Sequence, residues 1–152
     1  MAIELPRDFA EFLSLLNKHE VRYLLIGGYA VGIHGHVRAT NDIDVWIDAT
    51  KANARRTETA IREFGFDVPE LTADRLIIPR KITRMGLPPM RIEVLNTVSG
   101  IAFAEAYPNR KLAQVGRLRI PVIGLEDLIK NKLAAGRAKD LADAEELGPT
   151  SS

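Results

Sequence analysis

Asp42 and Asp44 stand one residue apart in the run "DIDVWID", interleaved with the apolar Ile43, Val45 and Ile47. That alternation is the pattern of a half-buried strand, whose side chains point to opposite faces in turn. Both carboxylates therefore share one face, with Cα atoms about 6.5–7 Å apart, and the apolar residues turn to the other. Two like charges placed together raise the pKa of at least one of them unless a cation or a donor sits between, and hard divalent cations are the usual remedy. Magnesium, or manganese in its place, is the natural ion, because it is held by one or two carboxylates plus substrate phosphates. An isolated Asp-x-Asp is a weak pattern, and aspartates at a strand start also serve as solvated residues or turn caps.

Two neighbours in sequence strengthen it. Upstream, Gly27 and Gly28 close the apolar run "RYLLI". Such a strand-to-helix junction exposes backbone N–H groups that receive phosphate oxygens, and glycine lets the phosphate approach closely. Downstream, "RIEVL" sets Glu93 on an otherwise apolar strand, a poor core residue unless its face opens onto a site. A salt bridge to Arg91, on the same face, is the structural alternative for Glu93. If the two strands are neighbours, Glu93 joins Asp42 and Asp44 around a pair of cations roughly 3.5–4 Å apart, a site for phosphoryl or nucleotidyl transfer.

Arg38 and Thr40 precede the aspartates, where a guanidinium either steadies a triphosphate or pairs with a carboxylate. His34 and His36 read as surface or packing residues, since magnesium does not seek imidazole. Trp46 shares the face of Asp44 and reads as packed against a helix; Asp48 reads as a solvated strand end or cap. Lys132 lies one turn after Leu128 and reaches toward the sheet edge, whereas Lys130 and Lys139 read as solvated. Asp140 and Asp143 read as partners of Arg137 or Arg38, with no metal between them.

The elements that must position these groups follow from periodicity. Phe9, Phe12, Leu13 and Leu16 predict an amphipathic helix over about 6–19, opened by Pro6. A strand over 22–26, a short helix over 29–34 closed by Gly35, and the strand of the aspartates come next. Thr50 caps a helix over 51–64 that Gly65 ends. The segment "DVPELTADRLIIPRK" reads as a loop with one helical turn near 71–75. "KITRM" and "RIEVLN" flank "GLPP" as an antiparallel pair. A short helix near 102–106, a strand near 118–122 and two terminal helices broken at Gly136 complete the chain; Leu125, Leu128, Ile129 and Leu133 form the expected buried face of the first. The rhythm is not a regular βαβ repeat, so the expected class is α/β (α+β): a small mixed β-sheet flanked by helices, with a C-terminal helical pair.

The chain has 152 residues, enough for one domain over 1–147 that buries roughly two thirds of its unfolded surface, with 148–152 as a disordered tail. Lys and Arg number 21 against 20 for Asp and Glu, which argues against binding by general attraction to nucleic acid. The absence of cysteine excludes disulfides, thiolate metal sites and thiol nucleophiles. Charges near the N-terminus and the lack of a run near the roughly 20 apolar residues of a membrane span predict a cytoplasmic protein with no membrane partner.

Gly-Gly, 13 residues, "DIDVWI" and the later "RIEVL" together resemble the DNA polymerase beta-like nucleotidyltransferase superfamily. The strings "GGYAVGIHGHVRATNDIDVWI" and "LEDLIKNKLAAGRAKDLADAEEL" resemble its AbiEii-type branch, which includes toxin nucleotidyltransferases of toxin–antitoxin systems and uncharacterised bacterial proteins. The resemblance spans about Val21 to Leu147. It implies a nucleotidyltransferase fold with a nucleoside triphosphate over the glycine turn. By matching motif, Gly27 and Gly28 would hold the triphosphate, Asp42 and Asp44 two magnesium or manganese ions, and Glu93 would complete the metal cluster and help deprotonate an acceptor hydroxyl. Many members carry Asp where this chain has Glu93. Lys132, within "KNKLAAGRAKD", would add positive charge near the phosphates, beside Arg38 and Thr40 as further candidates to bind them. The implied reaction moves a nucleoside monophosphate to a hydroxyl of RNA, protein or a small molecule and releases pyrophosphate. A non-catalytic nucleotide-binding or toxin–antitoxin partner module is the alternative. Only about 25 helical residues follow Val122, so acceptor recognition is expected to draw on a partner subunit or a homodimer contact.

Overall fold

The computed structural model describes residues 4–86 and 90–148. The "LPP" of the expected Gly/Pro connection and residues 149–152 of the expected tail lie outside the described residues. Seven α-helices and six strands are described: α1 Arg7–Lys18, β1 Tyr23–Ile26, α2 Gly27–Ile33, β2 Asp42–Ile47, α3 Lys51–Phe64, α4 Ala73–Leu76, β3 Ile82–Met85, β4 Arg91–Leu95, α5 Phe103–Ala106, β5 Lys111–Val115, β6 Leu118–Val122, α6 Leu125–Ala135 and α7 Ala138–Leu147, with a 3-10 turn at Tyr107–Asn109.

The strands form one mixed sheet in the order β3-β4-β2-β1-β6-β5. β2 runs antiparallel to β1 and parallel to β4, and β1 runs parallel to β6. Both termini of the sheet are antiparallel pairs, β3 with β4 and β5 with β6. Parallel pairs require crossovers, and α3 with the segment to β4 supplies the one that matters: it brings the strand of Glu93 beside that of the aspartates.

The alternation in β2 divides the sheet. Ile43, Val45 and Ile47 are fully buried in the same core as Phe9, Phe12 and Leu16 of α1 and Ala54 and Ile61 of α3. On the other face Trp46, also buried, meets the ring of Phe103 edge-on at 5.2 Å, so it packs against α5. Thr50 accepts a hydrogen bond from the Asn53 N–H at 3.2 Å, and Gly65 ends α3 at φ 110°, a left-handed cap that glycine adopts without a Cβ penalty. Asn53 itself is buried: its carboxamide oxygen accepts from the Arg22 N–H at 2.7 Å and its NH2 donates to the carbonyls of Arg22 and Asp48, pinning α3 to the start of β1 and the end of β2.

Three elements differ from expectation. α2 begins at Gly27 rather than Tyr29, so the glycines form its first turn. β5 was not expected; its exposed Lys111, Leu112 and Gln114 carry little apolar alternation because it lies at a sheet edge. In α6, Leu125 and Leu133 are exposed while Leu128 and Lys132 are buried, because the helix turns a charged position inward. Among the described residues no helix is long and apolar enough to cross a membrane.

Candidate active site

The register of the sheet assembles the site. Asp44 pairs with Ile26 of β1 on one side and Glu93 of β4 on the other, and Glu93 pairs with Arg84 of β3. Paired residues share a face, so Arg84, Glu93, Asp44 and the strand end leading to Gly27 lie in one row. Asp42 and Arg91 make the next row.

The glycines are packed where side chains would collide. Gly27 has φ 71°, and a Cβ there would run into the Asp44 carboxylate, reaching Cγ at 3.0 Å. A Cβ on Gly28 would stand 2.9 Å from both Cβ and Oγ1 of Thr40. Thr40 in turn donates from its hydroxyl to the Asp42 carbonyl at 3.2 Å. The bend between β1 and α2 thus folds directly onto the strand of the aspartates.

Asp44 is the stressed residue. Its Oδ1 is buried with no hydrogen-bond partner. Burial, then the adjacent Glu93 and the Asp42 charge, push its pKa up to about 7, and Lys132 only partly offsets them. The other two carboxylates have arginine partners. Glu93 accepts from Arg84 Nε at 2.7 Å, and Asp42 is 3.4 Å from an Arg91 guanidinium nitrogen. Arg91 therefore pairs with Asp42 and not with Glu93.

Beyond Asp44 the buried Lys132 Nζ stands 3.3 Å from Asp140 and 3.1 Å from Asp143. Arg137 binds Asp140 at 2.7 Å, and Arg38 grips Asp143 through Nε and a terminal nitrogen, both at 2.9 Å. Burial alone would raise both aspartates, yet Arg137 and Lys132 hold Asp140, and Arg38 and Lys132 hold Asp143, below the usual carboxylate range. The network ties the α2–β2 connector to α6 and α7. His34 Nε2 is 2.7 Å from the Ile123 carbonyl and His36 faces Glu146 at 3.9 Å.

A cavity of about 520 Å³ opens between the sheet and α6, walled by Gly27, Asp44, Glu93, Arg84 and Lys132 among others. Gly28, Arg38 and Thr40 instead line a neighbouring cavity of about 420 Å³ on the outer side of α2, so the expected phosphate-facing residues divide into two sets. Asp42 lines neither, among the described residues. As oriented, no three His, Cys, Asp or Glu side chains among the described residues form a metal-holding group. The donor set nevertheless suits a hard divalent cation: Asp44 and Glu93 offer only oxygens, they face each other, and one buried oxygen is unpartnered.

Sequence reasoning missed Arg84 and Arg80 as cavity residues. The alternation in "ITRM" could have found Arg84, given the hairpin register that sets it across from Glu93. Arg80 had no such signal: it sits at φ 67°, outside any strand, its N–H held by Asn96 Oδ1 at 3.1 Å and Thr97 Oγ1 at 3.3 Å.

The fold recurs in solved structures. A candidate nucleotidyltransferase of Thermotoga maritima superposes with TM-score 0.63 at 14% identity, covering 92% of this chain and 89% of its own. The lincosamide antibiotic adenylyltransferase LnuA, solved with lincomycin, gives TM-score 0.56 at 15% identity over 97% of this chain and 98% of its own. The resistance factor ANT(2'')-Ia, solved with adenylyl-2''-tobramycin, gives 0.56 at 11% identity over 91% and 84%. At these identities the likeness is one of fold. No curated protein sequence matches this chain. A family model described as "Nucleotidyltransferase of unknown function (DUF6036)" matches residues 5–148, and the chain belongs to that family.

Proposed function

We propose that the protein is a metal-dependent nucleotidyltransferase that moves a nucleoside monophosphate from a nucleoside triphosphate to an acceptor hydroxyl and releases pyrophosphate. The observation that carries this reading is Asp44: a buried, partnerless carboxylate oxygen pressed against Glu93, beside a glycine bend, on the wall of a cavity. Three carboxylates crowded on two adjacent strands raise the energy of the empty site, and a hard cation removes that stress.

In this reading Asp42, Asp44 and Glu93 would hold magnesium or manganese, Asp42 once it leaves its pair with Arg91. Held there, such ions would make the acceptor hydroxyl more acidic and would neutralise charge on the departing pyrophosphate. The first N–H groups of α2 have no intrahelical acceptor, and the Gly27–Gly28 turn offers them to the triphosphate with no Cβ in the way. Lys132, fixed by Asp140 and Asp143, supplies a point charge at the opposite wall. Glu93 would take the acceptor proton as the acceptor oxygen bonds to the α-phosphorus and the bond to pyrophosphate breaks. Thr40 and Arg38 support from behind, Thr40 against Gly28 and Arg38 through Asp143. The whole machinery lies within one domain, and a cytoplasmic setting rich in nucleotides suits it. We place the chain near the AbiEii-type branch, and the acceptor hydroxyl on RNA, protein or a small molecule, with a partner subunit or second copy completing its recognition.

The test incubates the protein with each α-labelled triphosphate and magnesium or manganese, with total RNA and cell extract as acceptors, beside Asp44→Asn. Label transfer by the parent and its loss by at least about a hundredfold in the variant supports the reading. Equal transfer by both removes the metal role of Asp44. Magnesium-dependent triphosphate binding without transfer favours a nucleotide-binding partner module.

A further inference from the structure

Four cations line the cavity, and three differ from the fourth in how they are held. Lys132 is buried between two aspartates, Arg137 is tied to Asp140 through two nitrogens, and Arg80 meets no carboxylate among the described residues. Arg84 has one tie only, Nε to Glu93 at 2.7 Å, and its terminal nitrogens have no partner among the described residues. Its side chain is 54% exposed, on β3, one of the sheet's two edge strands. The residue it binds is the carboxylate that faces Asp44.

We infer that Arg84 is an exchangeable arm: it occupies Glu93 while the site is empty and transfers to the phosphates of the nucleotide when a divalent cation takes Glu93. This deepens the function proposed above and rests on it. The physical reasons are three. A guanidinium on Glu93 uses one of the oxygens that an ion needs and repels the ion through its own charge. The pair is single and its arginine half-exposed, so Arg84 regains water when it leaves, while the largely buried Glu93 cannot and takes a doubly charged ion in its place. Once released, the planar fork with its free terminal nitrogens is the group best shaped for a phosphate, and it already lies on the wall of the same cavity as Gly27 and Lys132. The arm therefore couples the two ligands: the empty site resists bare metal, and metal with nucleotide together gain what metal alone loses.

The sign of the two effects tests it. Manganese binding is titrated by the loss of the free-ion electron paramagnetic signal, first without nucleotide, then with an unreactive α,β-methylene triphosphate. The proteins are wild type, Arg84→Gln, Arg84→Lys and Arg80→Gln, each checked for an unchanged melting transition. Arg84→Gln binds manganese alone about fivefold more tightly, yet binds the triphosphate analogue with manganese about tenfold more weakly. Arg84→Lys keeps the resistance to bare metal and loses only part of the nucleotide affinity. Arg80→Gln leaves manganese alone within about twofold. Tighter manganese binding by Arg80→Gln as well would mean a general field effect and no exchange. Unchanged manganese affinity in Arg84→Gln, or nucleotide affinity unaffected, overturns the exchange while leaving the proposed reaction intact. A wild type that binds neither manganese nor the analogue removes both.

Discussion

At the scale of single residues the electrostatic stress of the candidate site is concentrated in Asp44. Its pKa is pushed up to about 7, above the 3.8 of an unstrained aspartate, by burial and by Glu93 and Asp42. A folded-state pKa that is raised means the metal-free fold is more stable with this group protonated; that contribution is complete below about pH 4 and disappears as pH rises through 7. Asp140, Asp143 and Glu63 shift the other way, and their effects fall at the acidic end. The melting temperature without metal is therefore expected to drop between pH 5.5 and 8, and Asp44→Asn to flatten that slope. On the proposed metal role, magnesium and the proton would compete for one carboxylate, so a magnesium-induced rise in melting temperature is expected to grow over the same interval. A calorimetric pH series with and without magnesium measures both. Gly27 carries a second prediction. Alanine there meets a left-handed backbone, about 1 kcal/mol, and the Asp44 carboxylate in its Cβ position. Gly27→Ala should lose about 2 kcal/mol or more in urea unfolding and bind magnesium more weakly. The shared face of Asp42, Asp44 and Glu93 was legible because a period of two puts polar residues on one face of a strand and apolar ones on the other. Their arginine partners were not, because a pairing across strands depends on register, and only the folded sheet shows that Arg84 stands opposite Glu93 and Arg91 opposite Asp42.

At the scale of elements, local signals were sufficient where both ends of a helix are marked. Thr50 and Gly65 bound α3, and the structure places its ends at Lys51 and Phe64. They were insufficient where tertiary contacts decide. β5 is an exposed edge strand stabilised by its pairing with β6, so it lacks the apolar alternation that sequence reading needs. α6 was expected to bury Leu125 and Leu133, but the helix instead turns Lys132 inward to Asp140 and Asp143. A buried lysine is affordable only when paired, and both aspartates come from α7, whose docking is thus electrostatic as much as apolar. Removing one partner leaves charge uncompensated: Asp143→Ala should destabilise the protein by about 3 kcal/mol, read by denaturant unfolding. Arg38 shares that carboxylate through two nitrogens. Arg38→Gln combined with Asp143→Asn should therefore lose less than the sum of the single changes, by about 1 kcal/mol or more in a double-mutant cycle.

At the scale of the whole molecule the site is a seam between two layers. Gly27, Asp44, Glu93 and Arg84 belong to the sheet and its first bend, whereas Lys132 and Arg137 belong to the α6–α7 pair. The pair is joined to the rest through Arg38 on the α2–β2 connector and through apolar contacts of Leu128, Ile129 and Leu147 with the core. A triphosphate with its ions, lying in a cavity of about 520 Å³, would touch both layers at once and bridge the like charges on each. Binding that favours the folded state adds RT ln(1 + [L]/Kd) to stability, about 2.7 kcal/mol at a hundredfold excess over Kd. With magnesium and an unreactive triphosphate together, the protein should gain about that amount, and amide exchange should slow in α6, α7 and the β1–α2 bend in concert. Triphosphate without metal brings its charge to Asp44 and Glu93 with nothing between, so its increment should be near zero. In Asp44→Asn the orphaned charge is gone, and on the proposed role a metal ligand with it, so the joint increment should fall toward that metal-free value. Protection confined to the sheet, with α6 and α7 exchanging as before, would show that the nucleotide does not reach Lys132 and that the two layers are not bridged.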